Sequence, residues 1–379
     1  MTDPTHRSHT GFIPALDGLR GIAILMVLFH HFTIYRPSTG IDVWIANIPI
    51  AGWAGVNLFF VLSGFLITGI LLDTRGGAHY FRNFYVRRSL RIFPLYYVVV
   101  FLALIVLPML PTLHEVLVGN YPMPPKWPYW TYLTNFSVAD RGMTHGLLDI
   151  AWSLAIEEQF YLVWALVVWF LPLEWLGPLC VAILVGEPLA RTLALGNGVE
   201  PETVYVLTFF RLDGLAAGSL LAWLLRRGEL APLDRWTGWI FGAALAGVIA
   251  ITIDAGNSWW WNPRMQQAGF SLIAVGAGSL LVAAVTRSPH QLLPRLLSAG
   301  WLRAFGKYSY CLYLTHLPVM RAMHEYVFDP RDYASLAQAP WLGQGLFYVS
   351  VMVPSFALAW ISWRVFEAPI LSLKAKFTS

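Results

Sequence analysis

The sequence predicts an all-α protein, a polytopic membrane bundle of about ten transmembrane helices. Of its 379 residues, 57% are hydrophobic, and the mean hydropathy is +0.58. Only 12% of the residues are charged, against about 25% in soluble domains. Apolar runs of about 20 residues, the length that crosses a bilayer, recur along the chain. A large soluble protein with an apolar core does not account for this recurrence.

Ten spans are predicted from the apolar runs, and the whole chain, 1–379, is interpreted as a single membrane domain. The predicted spans are 14–35, 51–72, 90–110, 149–171, 177–195, 203–226, 238–254, 267–286, 303–323 and 344–367. The longest connection, 111–148, is rich in Pro, Trp and Tyr, so it lies on the surface or re-enters the membrane. We expect no signal peptide, because the polar N-terminus lacks the required order of segments.

The charge distribution predicts that both termini are cytoplasmic. Most of the 25 Lys and Arg residues fall on alternate connections, as the positive-inside rule requires. The net charge of +4 therefore needs no nucleic-acid partner. The two cysteines, Cys180 and Cys311, lie in apolar segments without metal-type spacing, so no metal site is expected.

The first apolar segment carries a polar stripe. It reads LDGLRGIAILMVLFHHF and contains Asp17, Arg20, His30 and His31. Arg20 and His31 are separated by eleven residues, so they share one helix face about 16.5 Å apart. Asp17 joins that face, whereas His30 points about 100° away. Such side chains within a span indicate function; an Asp17–Arg20 ion pair and a core histidine are the structural alternative.

Polar groups also mark the second and third spans. The segment GWAGVNLFFVLSGFLIT places Asn57 and Ser63 among small residues that equally suit close helix packing. Asn57 is a candidate donor to a reacting carbonyl or a cofactor amide. The segment YVRRSLRIFPLYY places Arg88 and Arg91 on one helix face, and paired guanidinium groups suit phosphate. Membrane anchoring is the alternative, chiefly for Arg87.

The fourth span, DIAWSLAIEEQFYLVWAL, places Glu157 and Glu158 inside an apolar helix. A carboxylate there is costly unless it is paired, protonated or hydrated. Neighbouring positions face about 100° apart, so at most one is expected to face a shared centre. Later segments add Tyr310, His316 and Glu367, and together these groups suggest a polar interior cavity.

Six segments resemble, in order, the motifs of the acyltransferase-3 family of integral-membrane acyltransferases. They are LDGLRGIAILMVLFHH, GVNLFFVLSGFLIT, RRSLRIFPLYY, WSLAIEEQFYL, KYSYCLYLTHLPV and FEAPI. The resemblance implies a ten-helix core in a bacterial inner membrane. It also implies transfer of an acyl group, often acetyl, from acyl-CoA to a hydroxyl of a cell-envelope glycan, a lipid-linked sugar or a macrolide-like molecule. Some members carry an additional soluble hydrolase-like domain, and none is expected here.

The resemblance also implies roles for particular residues. The family's first-helix histidine corresponds to His31, with His30 as second choice, and its Arg-x-x-Arg motif to Arg88 and Arg91. His31 is then the general base on the acceptor hydroxyl, and a short-lived acyl-histidine stays open as an alternative. Arg88 and Arg91 are expected to bind the CoA phosphates.

The remaining candidates complete the expected site. Asn57, Ser63 or Tyr310 is expected to stabilise the oxyanion. Glu157 or Glu158 is expected to orient a partner or pair with an arginine. The expected catalytic residues are thus His31, Glu157, Glu158 and Asn57, and the expected donor-binding residues are Arg88, Arg91, Arg20, Asp17, Ser63 and Tyr310.

Two other classes of function fit the same sequence features. A transporter or flippase of a lipid-linked or acylated substrate also lines its route with buried charges, but it needs no CoA. An acyl-CoA-responsive membrane scaffold would bind the donor without turnover. The partners expected for the acyltransferase are membrane lipid, acyl-CoA as co-substrate and the hydroxylated acceptor.

Overall fold

The computed structural model describes residues 13–37, 40–119, 123–337 and 339–377, and these residues form helices and no strand. The predicted all-α class is therefore confirmed. The α-helices are α1 (Pro14–Phe32), α2 (Ile41–Ile50), α3 (Gly55–Thr74), α4 (Tyr80–Phe101), α5 (Pro111–Leu117), α6 (Trp127–Trp130), α7 (Thr134–Arg141), α8 (Ala151–Phe170), α9 (Leu173–Gly196), α10 (Pro201–Val206), α11 (Leu212–Arg226), α12 (Thr237–Ala255), α13 (Phe270–Thr286), α14 (Leu292–Leu297), α15 (Gly300–Tyr326), α16 (Ala334–Ala337), α17 (Pro340–Ser362) and α18 (Ala368–Ser372).

Eight helical segments in the described part of the chain are long and apolar enough to cross a membrane. They are Pro14–Phe32, Ile41–Thr74, Tyr80–Met109, Ala151–Phe170, Leu173–Gly196, Ala231–Ala255, Met265–Thr286 and Pro340–Lys376. The chain is therefore a multi-pass membrane protein. The other two predicted spans are also helical. However, α11 has only 15 residues, and the 27-residue α15 carries several charged side chains.

The predicted continuous span 203–226 is interrupted in the structure. Helix α10 ends at Val206, a 3₁₀ turn covers Thr208–Phe210, and α11 begins at Leu212. The freed backbone groups are bonded by side chains of α9. Arg191 Nη1 donates to the carbonyl of Phe210 at 2.9 Å, and Glu187 Oε1 accepts from the Leu212 amide at 3.3 Å. A break at membrane depth is tolerated because protein groups replace water.

Burial separates central helices from those that face lipid. In the segment that contains α3, 72% of the most apolar window is buried, against 17% for α9 and 11% for the segment that contains α12. The central α3 contacts α1, α8, α11 and α13. The polar side chains of Asn57, Ser63 and Thr68 in α3 therefore face protein.

Glycines allow α1 and α15 to approach closely. A Cβ on Gly306 would lie 1.8 Å from the carbonyl oxygen of Asp17 and 3.1 Å from the amide nitrogen of Gly21. A Cβ on Gly21 would lie 2.1 Å from the carbonyl oxygen of Leu302. Small residues at such a crossing let helix backbones touch in lipid, where van der Waals packing drives association. This contact sets the register of α1 against α15.

We expect Gly306→Ala to destabilise the protein, because the added methyl group must displace the α1 backbone. Overpacking of this kind costs about 1–3 kcal/mol of unfolding free energy. Thermal unfolding in detergent should show a lower Tm than for wild type. The matched control is Gly242→Ala in α12, where a Cβ would meet no atom within 4 Å. Equal Tm values for the two variants would contradict the close approach.

Candidate functional site

A basic mouth opens at the end of the bundle where α1 begins. Two open clefts of about 650 and 570 Å³ meet there, and both are lined by Arg20 and Arg91. The basic mouth is defined by Arg20, Arg87, Arg88, Arg91, Arg303, Lys307 and Lys374. Of the acidic residues in the two linings, Asp17 pairs with Arg20 at 3.2 Å and Asp73 with Arg226 at 2.7 Å. The mouth therefore carries an excess of positive charge.

The predicted arginines come together in this mouth. Arg88 and Arg91 lie one helical turn apart on α4, and both line the cleft of about 570 Å³ beside Lys374. The Arg88 guanidinium lies over the ring of Tyr161, with its Cζ 5.2 Å from the centroid. The Asp17–Arg20 ion pair, considered above as a structural alternative, is formed and also lines a cleft. Planar guanidinium groups in this number suit polyanionic ligands.

A smaller inner cavity of about 100 Å³ continues from the mouth, since Arg20, Arg88 and Arg91 also line it. Its deeper lining includes Ser63, Ser153, Glu157, Tyr161, Tyr310 and Tyr313. Ser63 Oγ donates to Glu157 Oε1 at 2.8 Å, and the Tyr161 hydroxyl donates to Glu157 Oε2 at 3.0 Å. Glu157 thus faces a polar cavity and is held by two hydroxyl groups.

The hydroxyl hydrogens of this cavity are already engaged. Ser63 and Tyr161 donate to Glu157, and the Tyr310 hydroxyl donates to the carbonyl of Ile92 at 2.7 Å. Ser63 or Tyr310 could stabilise an oxyanion only by exchanging its present acceptor for that oxyanion.

Asn57 belongs to a separate buried network. Its Oδ1 accepts from Arg211 Nη2 at 2.6 Å, and its Nδ2 donates to the carbonyl of Phe270 at 3.4 Å. Aromatic rings surround this guanidinium, the nearest centroid being that of Phe270 at 4.2 Å. Asn57 lines neither the mouth nor the inner cavity. A direct role at a reacting carbonyl would require these bonds to be exchanged.

Glu158 faces away from Glu157, as adjacent helical positions must. It is absent from the lining of the inner cavity, and its Oε1 is buried without a hydrogen-bond partner among the described residues. As predicted from the helix geometry, only one of the two carboxylates lines the inner cavity. Glu157 is the one that faces the cavity.

His31 lies beyond the inner cavity, next to a second histidine. Its Nδ1 is 3.0 Å from the carbonyl oxygen of Val27 and 3.2 Å from His316 Nε2. The two imidazole centroids are 4.8 Å apart, and the centroid of Tyr313, which lines the cavity, is 6.0 Å from that of His316. His30 instead donates from Nδ1 to the carbonyl of Ile50 at 2.6 Å.

The end of α1 that carries these histidines is held by α17. Gln344 Oε1 accepts from the amides of Ile34 and Tyr35, both at 2.8 Å, and its Nε2 donates to the carbonyl of Phe32 at 3.0 Å. Beyond this clamp, the Cζ of Arg36 lies 4.6 Å from the ring centroid of Trp259. Burial lowers the pKa of the Arg36 guanidinium, although Tyr348 partly opposes the shift.

The structure thus groups the predicted residues into three places. The basic mouth holds Asp17, Arg20, Arg88 and Arg91; the inner cavity holds Ser63, Glu157 and Tyr310; His31 lies beyond it, and Asn57 and Glu158 lie outside these linings. The sequence reasoning gave no role to Arg303, Lys374 or Gln344, because nothing local marks them as site residues. It singled out His316 only as a polar point within an apolar helix.

Comparisons with known proteins find bacterial O-acetyltransferases among the relatives of this chain. The chain is 27% identical over 382 residues to the peptidoglycan O-acetyltransferase OatA of Listeria monocytogenes, covering 97% of this chain and 57% of the relative. It is also 27% identical over 388 residues to the O-acetyltransferase OatA of Staphylococcus aureus, covering 95% and 57%. The chain spans little more than half the length of these curated relatives. No solved structure matches it.

The family comparison covers the residues of the inner cavity and the histidine pair, and all residues of the basic mouth except Lys374. Residues 13–364 match the family described as an acyltransferase domain. That range includes five of the six motifs that resembled this family, and the sixth, FEAPI at 366–370, follows directly after it. The chain therefore belongs to the acyltransferase-3 family.

Proposed function

We propose that this protein is a membrane O-acetyltransferase that moves an acetyl group from acetyl-CoA to a hydroxyl of a cell-envelope glycan. The observation that carries the proposal is the basic mouth, which leads through an inner polar cavity toward His31. Family membership supports acyl transfer, and the names of the relatives support acetyl as the group and a glycan as the acceptor. The proposed membrane is the bacterial inner membrane, with the mouth on the cytoplasmic side, where acyl-CoA is made.

The basic mouth is proposed to bind the CoA phosphates. Guanidinium groups bind phosphate oxygens bidentately, and Arg88 and Arg91 present two of them on one face of α4. Arg20 connects the mouth to α1, and it lies eleven residues, about 16.5 Å, before His31 along that helix. The pantetheine arm, an extended chain, is proposed to cross this distance through the inner cavity. Tyr313 lies between the inner cavity and His316, so the thioester would have to pass beside the Tyr313 ring to reach His31.

At the far end, His31 is proposed to act as the general base. Its Nε2 takes the proton of the acceptor hydroxyl as the oxygen attacks the thioester carbon. The carbon–sulfur bond then breaks, and the same proton passes to the CoA thiolate, which restores neutral His31. His31 Nε2 has no hydrogen-bond partner among the described residues, so it is available for this task.

The two carboxylates and Asn57 are given supporting roles. Glu157, held by Ser63 and Tyr161, is proposed to orient the polar groups of the pantetheine arm. Glu158 is proposed to offset the positive charge of Arg88 within the bundle. Asn57 is proposed to hold Arg211 in the buried network rather than to contact the substrate.

We expect Arg91→Ala to weaken acetyl-CoA binding. Removing a charged hydrogen-bond partner costs about 1.5–3 kcal/mol, which corresponds to an increase in Kd of about 10- to 150-fold. Titration of the purified protein in nanodiscs with acetyl-CoA measures this effect. The control is Arg235→Ala, because Arg235 stacks on Trp236 away from the mouth. If Arg91→Ala and the control bind acetyl-CoA equally well, the mouth is not the CoA site.

We expect His31→Ala to abolish acetyl transfer while acetyl-CoA still binds. Loss of a general base lowers the rate by about 10²- to 10⁴-fold. The assay follows radiolabelled acetyl from acetyl-CoA into isolated cell-envelope glycan. The matched control is His30→Gln, which can still donate to the carbonyl of Ile50.

The outcomes of that assay separate the candidate functions. Acetyl transfer by His31→Ala at the wild-type rate would contradict the role of His31. Acetyl-CoA binding without transfer to the glycan would reject this acceptor. If the wild-type protein does not bind acetyl-CoA, the transporter or flippase becomes the better hypothesis.

A further inference from the structure

His31 has a fully buried partner on another helix. His316, on α15, is 0% exposed, and its Nε2 lies 3.2 Å from His31 Nδ1. We propose that His316 is a positioning residue that fixes the tautomer of His31 and accepts its Nδ1–H bond during acyl transfer. This inference rests on the proposed function, because it assigns a role within that same reaction.

The hydrogen bonds of His316 determine which of its nitrogens carries the proton. His316 Nδ1 lies 3.0 Å from the carbonyl oxygen of Leu312 and 2.8 Å from that of Tyr313. Carbonyl oxygens only accept, so Nδ1 carries the hydrogen and donates. A neutral imidazole carries one such hydrogen, and burial disfavours the charged ring. His316 Nε2 therefore presents a lone pair toward His31.

The same reasoning then fixes His31. Its Nδ1 faces two acceptors, the carbonyl of Val27 at 3.0 Å and the lone pair of His316 Nε2. Nδ1 must therefore carry the hydrogen, which leaves the lone pair of neutral His31 on Nε2. The hydrogen-bond partner of one ring nitrogen thus decides the chemistry of the other. The result is a histidine whose free nitrogen is a base.

The pair also suits the charged state of the reaction. When His31 Nε2 takes the acceptor proton, the ring becomes an imidazolium and donates more strongly from Nδ1. Hydrogen bonds from charged donors are about twice as strong as neutral ones. His316 Nε2 and the carbonyl of Val27 are the acceptors in place. The titratable groups around His316 are His31 and His30 from α1 and Tyr313 from its own helix.

Helix packing explains why these two rings meet. The amide nitrogen of Gly21 lies 3.1 Å from where a Cβ of Gly306 would be. His31 follows Gly21 by ten residues, and His316 follows Gly306 by ten residues. Two helices that run side by side in the same direction therefore bring both histidines to the same level, about 15 Å from the glycine contact.

The test compares two substitutions that divide the functions of the imidazole. His316→Gln can place an acceptor oxygen where Nε2 was, so His31 keeps its partner. His316→Asn can reproduce only the bonds near Nδ1, so His31 loses its partner. We expect His316→Asn to lower kcat about 10- to 100-fold, the effect known for hydrogen-bond partners of metal-bound histidines. The KM for acetyl-CoA should stay unchanged. The kcat of His316→Gln should remain close to that of the wild type.

The dependence of kcat on pH distinguishes a positioning role from a purely structural one, because a purely structural role would not shift the acid limb of the profile. In His316→Asn, the acid limb should move to lower pH, because the His31 imidazolium has lost an acceptor. The matched control is Thr315→Val, since Thr315 donates only to the carbonyl of Cys311 on its own helix. The Tm of each variant shows that it is folded.

Each outcome is decisive. Equal kcat values and acid limbs in wild type and His316→Asn would overturn the positioning role, as would equal losses in the Asn and Gln variants with an unmoved acid limb. If wild type shows no His31-dependent transfer at all, the proposed function fails rather than this inference.

Discussion

The close parallel contact of α1 with α15 is the constraint on which the site depends. It is possible because Gly21 and Gly306 carry no side chain where the two backbones meet. The contact brings Arg20 beside Arg303 and Lys307 at one end, and His31 beside His316 at the other. One helix pair therefore supplies part of the positive charge of the mouth and sets the geometry of the imidazole pair. A shift of one helical turn, about 5.4 Å, would separate the histidines.

The charges in the protein divide into two kinds, and the division indicates what each is for. Arg191 is fully buried and pairs with Glu187 at 3.2 Å and with Asp213 at 3.0 Å, as the membrane interior demands. Arg211 is the second cation of this cluster, so two cations face two carboxylates beside the break before α11. The basic mouth instead has more cations than acids and opens to solvent. A surplus of cations in a concave site is the arrangement that attracts a polyanion such as CoA.

Most of the fold and part of the site followed from the sequence. The apolar runs predicted the long helices, and helical periodicity placed Arg88 with Arg91 and separated Glu157 from Glu158. The break at 203–226 could not be predicted, because it depends on side chains of α9 that meet it only in the folded bundle. The same holds for His316. A lone histidine in an apolar helix is ambiguous until packing shows that it contacts His31.

The central claim is that the donor enters through the basic mouth and extends along α1 to His31. A cryo-EM structure with acetonyl-CoA, a thioether analogue that cannot transfer its acyl group, tests this directly. The account predicts phosphate density at Arg88 and Arg91 and the analogue's carbonyl group beside His31 Nε2. Density for the analogue elsewhere, or a carbonyl group that stays near the mouth with its phosphates away from the arginines, would contradict it.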